Sequence, residues 1–319
     1  MTKIERIILN LPPIAFIIRK SKVLYIPGFE GIPLYDVVLF FIKQVNKIGL
    51  NERAAAIAFN LVMALPATLL FLFSIIPYFP EFLDLRIWIL SLFKDISPSS
   101  NTYRFIEKLL DDLTQQNVGV FSFGFVLLVF YASNAMMALI RTFDRSIMEH
   151  KKFFFHQRWR AIQLTIIIIL LIIGSSLVLL GQEQLALILK KVFRLHKSTL
   201  PWFNSAKWIA IVGLFFFSTA LIYRYAPSVK KRWHIVSPGS ILATTLTVGT
   251  TLIFSYWVNN FASYNKVYGS IGTVLILMLL IYINSLILLI GFELNVSITY
   301  LTKQATERKL QDELIASNT

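Results

Sequence analysis

Apolar residues along this chain gather into six long stretches, roughly Ala54–Ile76, Val118–Ile140, Ala161–Gly181, Ala206–Tyr223, Gly239–Val258 and Ser270–Ile298. Each is close to the roughly 20 residues an α-helix needs to cross a hydrocarbon core. The pattern predicts an all-α, polytopic membrane protein with six transmembrane helices. Shorter amphipathic pieces flank them. Leu34, Val37, Val38, Phe41, Val45 and Ile48 recur at helical spacing, with Asp36, Lys43 and Lys47 off the stripe. That helix is expected either to lie on the membrane surface or to pack on the bundle. Glu81–Asp95 and Tyr103–Leu113, broken at Pro98, predict an external helical cap at about 81–114. The resulting layout is an N-terminal segment over 1–53, a membrane domain over 54–298 and a tail over 299–319.

Charge orients these spans. The chain carries 31 Lys and Arg against 17 Asp and Glu, a formal net charge of +14. The basic residues are concentrated before span one (Lys43, Lys47, Arg53), after span two (Arg141 to Arg160), after span four (Arg224 to Arg232) and in the tail (Lys303, Arg308, Lys309). The positive-inside rule then places both termini in the cytoplasm. One loop dissents: 182–205 is expected outside yet holds Lys190, Lys191, Arg194 and Lys197. Trp159, Trp202, Trp208, Trp233 and Trp257 fall near span ends, where an amphipathic ring prefers the headgroup level. Pro12, Pro13, Pro27 and Pro33 interrupt the apolar residues before Ala54, so no cleavable signal is expected there.

Polar residues inside the spans are the candidate chemistry, because an unpaired charge in lipid is expensive. Asn60 and Asn134 each lie six residues from the cytoplasmic end of a span, roughly 9 Å deep, and Glu293 is nearly level with them. Asn284 is deeper and Asn295 closes span six, while Glu52, Arg53, Arg141 and Asp144 form a shallower ring. This level is either a polar site facing the cytoplasm, with Glu293 paired to Arg53 or Arg141, or a packed network locking helices together. Pro66 is expected to kink span one, and Ala54, Ala55, Ala56 and Ala58 to admit a neighbouring helix closely. The segment 259–272, with Asn260, Tyr264, Tyr268, Gly269 and Gly272, reads as a loop lining a cavity or as a short external turn.

Enzyme chemistry finds little support. Zero cysteines exclude disulfides, thiolate metal sites and cysteine nucleophiles. No HExxH and no Walker A motif occurs, and His150, His156, His196 and His234 are scattered. Asp111 and Asp112 are adjacent on the expected cap, where a charged face explains them. No metal, no cofactor and no catalytic residues are expected. Basic residues beside spans are explained by lipid, so the expected partners are membrane lipids, anionic ones among them, and no nucleic acid. Oligomeric state leaves no mark in the sequence.

The blocks RYAPSVKKRWHIVSPGSILATTL and NFASYNKVYGSIGTVLILMLLIYINSLILLIGFELN resemble the YihY/BrkB family of bacterial inner-membrane proteins. The residues that carry the resemblance are Arg224 and Pro227, Pro238 and Gly239, Asn260 to Tyr264, Tyr268 to Gly272, and Gly291 to Asn295. ERAAAIAFNLVMALPATLLFLF is similar too, although family members more often have Ser and an aromatic where Asn60 and Leu61 stand. The resemblance implies six helices crossing the bacterial inner membrane with both termini in the cytoplasm, and no agreed catalytic residues. Family members have carried a ribonuclease label and are otherwise linked to envelope processes and considered for transport of lipid or small polar solutes. The sequence therefore favours a flippase-like permease for a lipid or small amphiphile. A membrane scaffold of the envelope is the alternative, and a ribonuclease a remote one.

Overall fold

A computed structural model describes residues 12–75, 108, 118–147, 154–180, 200–229, 232–260 and 264–317, and among these it is all-helical. The helices are α1 (Pro12–Ser21), α2 (Leu34–Ile48), α3 (Leu50–Ile75), α4 (Val118–Ile147), α5 (Phe154–Leu180), α6 (Leu200–Tyr225), α7 (Pro238–Asn260) and α8 (Tyr264–Ser317). The last six coincide with the six apolar stretches and overrun them at their polar ends. Four contain segments long and apolar enough to cross a membrane: Leu50–Phe71, Val118–Ile147, Pro238–Trp257 and Leu275–Ala316. Ile211–Tyr225 is a shorter apolar segment. The expected external cap and the dissenting basic run at 190–197 lie outside the described residues.

Neighbouring helices pack in a closed ring, α3 on α4, α4 on α5, α5 on α6, α6 on α7, α7 on α8 and α8 back on α3. Helix α8 also reaches across to α4. Where these two meet, Phe143 stacks on Phe292 with centroids 3.7 Å apart and rings 4° from parallel. Tyr223 and Trp233 meet the same Phe292 edge-on. The Tyr223 hydroxyl donates to the Leu288 carbonyl at 2.6 Å, tying α6 to α8. Trp233 is half-buried, and its Nε1 donates to Thr299 at 3.0 Å. Trp159, Trp208 and Trp257 do face outward. In α3, Ala54 and Ala58 are buried at the contact while the helix runs through Pro66.

The tightest crossing joins α7 to α8. A β-carbon on Gly239 would collide with the Gly291 carbonyl oxygen, and one on Gly291 would fall 2.6 Å from the Gly239 oxygen. Asn295 completes the joint, accepting the Gly239 amide at 2.8 Å and donating to Ser237 Oγ at 2.9 Å. Ser237 and Ser240 exchange bonds across the first turn of α7, with Pro238 at the position where a missing N–H costs nothing. Asn295 is thus a helix cap supplied in trans, and the P-G and G-x-E-L-N motifs are the two halves of one contact.

Of the two placements expected for helix α2, its contacts show packing on the bundle. Val37 is fully buried against Ile298, Leu294 and Leu301, Phe40 stacks on Tyr300, and Val45 and Ile48 meet the main core. Val38, Leu39 and Ile42 remain exposed on its other side. Gly49, in left-handed conformation at φ 65, turns the chain directly into α3.

The Gly239–Gly291 crossing leads to a stability expectation. Gly239→Ala and Gly291→Ala should each cost about 1–3 kcal/mol by overpacking. Gly249→Ala, where a β-carbon meets nothing within 4 Å, should be neutral or slightly stabilising. Thermal unfolding in detergent, followed by tryptophan fluorescence, ranks the three.

Candidate functional site

The arginine-bearing ends of α3, α4 and α5 lie together with Glu293 of α8 and the segment after α6, as the bonds of Arg53, Arg158 and Arg160 show. At this basic end the polar level expected from the sequence separates into two places with different chemistry.

The first is inside the ring. Glu293 is 0% exposed, and its Oε1 accepts a short hydrogen bond from Ser146 of α4. Ser146 in turn accepts from Arg53 Nη1 of α3 at 2.8 Å, and that guanidinium lies 3.9 Å from the Glu293 carboxylate. Gln44 of α2 approaches the same carboxylate. Glu293 Oε2 finds no hydrogen-bond partner among the described residues. A carboxylate so placed holds three helices together through one serine and one arginine.

The second lies on the outer face of α4. Asn60 of α3, Asn134, Met137, Ala138 and Arg141 of α4 and Arg158 of α5 line a cavity of about 280 Å³. Asn134, Ala138 and Arg141 follow i, i+4, i+7 spacing, so α4 forms the floor while α3 and α5 form the walls. Arg158 donates to Asn134 Oδ1, and its guanidinium lies 5.2 Å from the centre of the Phe130 ring. Asn60 donates to the Ala56 carbonyl at 2.8 Å. Among the described residues the lining holds two guanidiniums, two carboxamides and no acid, a set suited to an anion. Its surroundings are apolar and exposed: Phe59 and Met63 on α3, Val126 and Phe130 on α4, and Trp159 on α5.

The remaining candidates fall elsewhere. Asp144 belongs to a third cluster, accepting from Gln157 at 2.9 Å and from the Ser228 amide and hydroxyl at 2.8 and 3.0 Å. Arg160 bonds Ser228 Oγ at 2.6 Å, so this cluster clamps the α6–α7 connection to α4 and α5. Glu52 is exposed, its carboxylate turned back over Gly49. The expected ring of Glu52, Arg53, Arg141 and Asp144 is therefore not one site. Arg53 meets Glu293, Arg141 lines the outer cavity, Asp144 meets Ser228 and Glu52 is exposed. Asn284 donates to Leu280 within its own helix at 3.0 Å, and its buried Oδ1 finds no partner among the described residues. Of the expected cavity loop, Asn260 ends α7, and Tyr264, Tyr268, Gly269 and Gly272 stand in the opening turns of α8. That segment is helical from Tyr264, leaving only 261–263 as a connection, and its side chains lie outside the described residues.

Sequence reasoning missed Ser146 and Arg158 as site residues. Ser146 carries no signal, being one serine among many. Arg158 was legible only as a topogenic charge, because hydropathy starts the span at Ala161 whereas the helix starts at Phe154.

The buried pair generates an ordering. Glu293→Ala should destabilise most, by about 2 kcal/mol, less than a fully buried pair because Arg53 is 16% exposed. Ser146→Ala should cost about 1 kcal/mol. Arg158→Gln, on the outer face, should change the melting temperature least. Thermal unfolding of the purified variants tests the series, and equal losses would remove the distinction between the two polar places.

Comparison with known proteins adds the lineage. The family profile described as virulence factor BrkB matches residues 41–314. The ribonuclease-like protein YfkH of Bacillus subtilis (strain 168) is 26% identical over 263 residues, covering 80% of this chain and 94% of the relative. A UPF0761 membrane protein of Haemophilus influenzae (strain 86-028NP) is 23% identical over 82% of this chain and 95% of its own length. A UPF0761 membrane protein of Xanthomonas campestris pv. campestris (strain B100) is 24% identical over 82% of this chain but 60% of its own, so the chain spans less than two thirds of that longer relative. No solved structure matches. With a family match covering most of its length, and with helices long and apolar enough to span a bilayer, this chain is a membrane protein of the BrkB family.

Proposed function

We propose that this protein is a six-span permease of the bacterial inner membrane, with both termini in the cytoplasm, that takes up a lipid or small amphiphile at its cytoplasmic face. Helices α5 and α6, of 27 and 26 residues, complete the six spans; at 1.5 Å per residue each is about 40 Å long. The basic end is the cytoplasmic end by the positive-inside rule. The reading rests on one observation, the cavity of about 280 Å³ walled by Asn60, Asn134, Arg141 and Arg158 and bordered by exposed apolar side chains. Polar groups at such a depth are costly in lipid unless they pair within the protein or face a ligand or water.

A scaffold role is the second reading, and Glu293 favours it. That residue is sealed and committed to Arg53 and Ser146, as Asn295 is to Gly239 and Ser237. The expectation that Glu293 binds substrate is therefore transferred to the outer cavity.

The absence of cysteine permits a direct test. Asn60→Cys and Asn134→Cys should react with a membrane-impermeant maleimide added from the cytoplasmic side of oriented vesicles. Ser133→Cys, at a position 0% exposed on the same helix, should stay protected until denaturation. Protein reconstituted into vesicles should also move a fluorescent amphiphile between leaflets, and Asn134→Ala should slow that movement about tenfold. Labelling without any movement would leave the scaffold as the better reading.

A further inference from the structure

We infer that the outer cavity is a binding site for the phosphate of an anionic lipid, entered sideways from the cytoplasmic leaflet between α3 and α5. The inference deepens the permease reading and rests on it for the side of the membrane.

The geometry has three parts. The cavity is on the membrane-facing surface and not at the centre of the ring. Val126, Phe130 and Asn134 follow one another at four-residue spacing along α4, and Arg141, seven residues on, falls on the same side. Val126 and Phe130 are 62% and 49% exposed. A ligand therefore reaches Asn134 from lipid without crossing the bundle.

Among the described residues the charge lining the cavity is also of one sign. Arg158 makes no ion pair among them, and its hydrogen-bond partner is the neutral Asn134. Guanidiniums present paired donors that match two oxygens of a phosphate, and carboxamides add further donors. Arg158 is already oriented by Asn134 and by the Phe130 ring, which limits the ordering cost of binding.

The surface above the cavity is apolar. From Asn134 to Val126 is about 12 Å along the helix, the reach of an upper acyl chain, and Phe130 and Val126 line that distance. Met63 on α3 and Ile166 on α5 flank it, both exposed. Polar pocket at headgroup depth and apolar track above it together describe an amphiphile. A soluble phosphate uses only the first.

The test is native mass spectrometry of the full chain in neutral detergent. Phosphatidylglycerol is titrated against phosphatidylcholine, with glycerol phosphate and inorganic phosphate as soluble competitors. Phosphatidylglycerol should be retained at least tenfold more tightly than phosphatidylcholine, and millimolar soluble phosphate should not displace it. Arg158→Gln should weaken retention about tenfold, the loss of one charge-assisted contact. Ala138→Leu, which fills the floor while leaving every charge in place, should do the same. Lys309→Gln, in the exposed tail, should do nothing. Unchanged retention in both Arg158→Gln and Ala138→Leu, with melting temperatures kept, would overturn the site, as would equal retention of phosphatidylcholine. Displacement by inorganic phosphate would make it a soluble-anion site instead. Retention without leaflet-to-leaflet movement would keep this site and sink the permease; movement unaffected by either variant would do the reverse.

Discussion

One carboxylate sets the terms for the whole bundle. Glu293 has no water to meet and no lipid that would tolerate it, so neighbouring helices must supply its partners. Ser146 from α4 and Arg53 from α3 do so, and Gln44 of α2 approaches the same group. The residues around it extend the effect, because each step along α8 turns about 100° and addresses a different neighbour. Gly291 lets α7 approach, Phe292 stacks on Phe143, Leu294 packs beneath α2, and Asn295 caps α7. Five consecutive residues thus contact five other helices, since Tyr223 of α6 also meets Phe292. A single turn of helix fixes the register of the assembly.

The two polar places differ in the way their polarity is balanced. Around Glu293 charge is answered by charge and by a serine between them, and the whole is enclosed. On the outer face of α4 the described lining is two guanidiniums and two carboxamides, and the surface beyond is exposed and apolar. The first arrangement is shut off from the surface and the second is open to it, which is why function is sought at the second.

Much of this architecture could be read from the sequence and some could not. Helix positions were legible because apolar runs of about 20 residues have few other uses. The pairing of Glu293 with Arg53 was among the expected possibilities, since a lone acid in a span must find a cation. Depth was readable from residue counting, and it correctly put Asn60 and Asn134 together. Direction was not. Counting cannot say that Asn134 faces outward while Ser146, twelve residues on, faces the ring, because that depends on which side of α4 meets α8. Nor could hydropathy show that α5 begins at Phe154, bringing Arg158 into the cavity wall. Nor does proximity to a span end show that the Trp233 ring packs onto Phe292.

Helix α8 runs unbroken for 54 residues, from Tyr264 through the crossing at Gly291 to Ser317. Beyond Gly291 some 26 residues remain, a rod of about 39 Å. A stiff rod held near its middle behaves as a lever. A tilt of about 5° at the glycine crossing carries the far end some 3 Å, by the same helical rise. A displacement too small to disturb packing within the bundle is thus magnified outside it, giving whatever touches the tail a mechanical view of the helices it cannot reach.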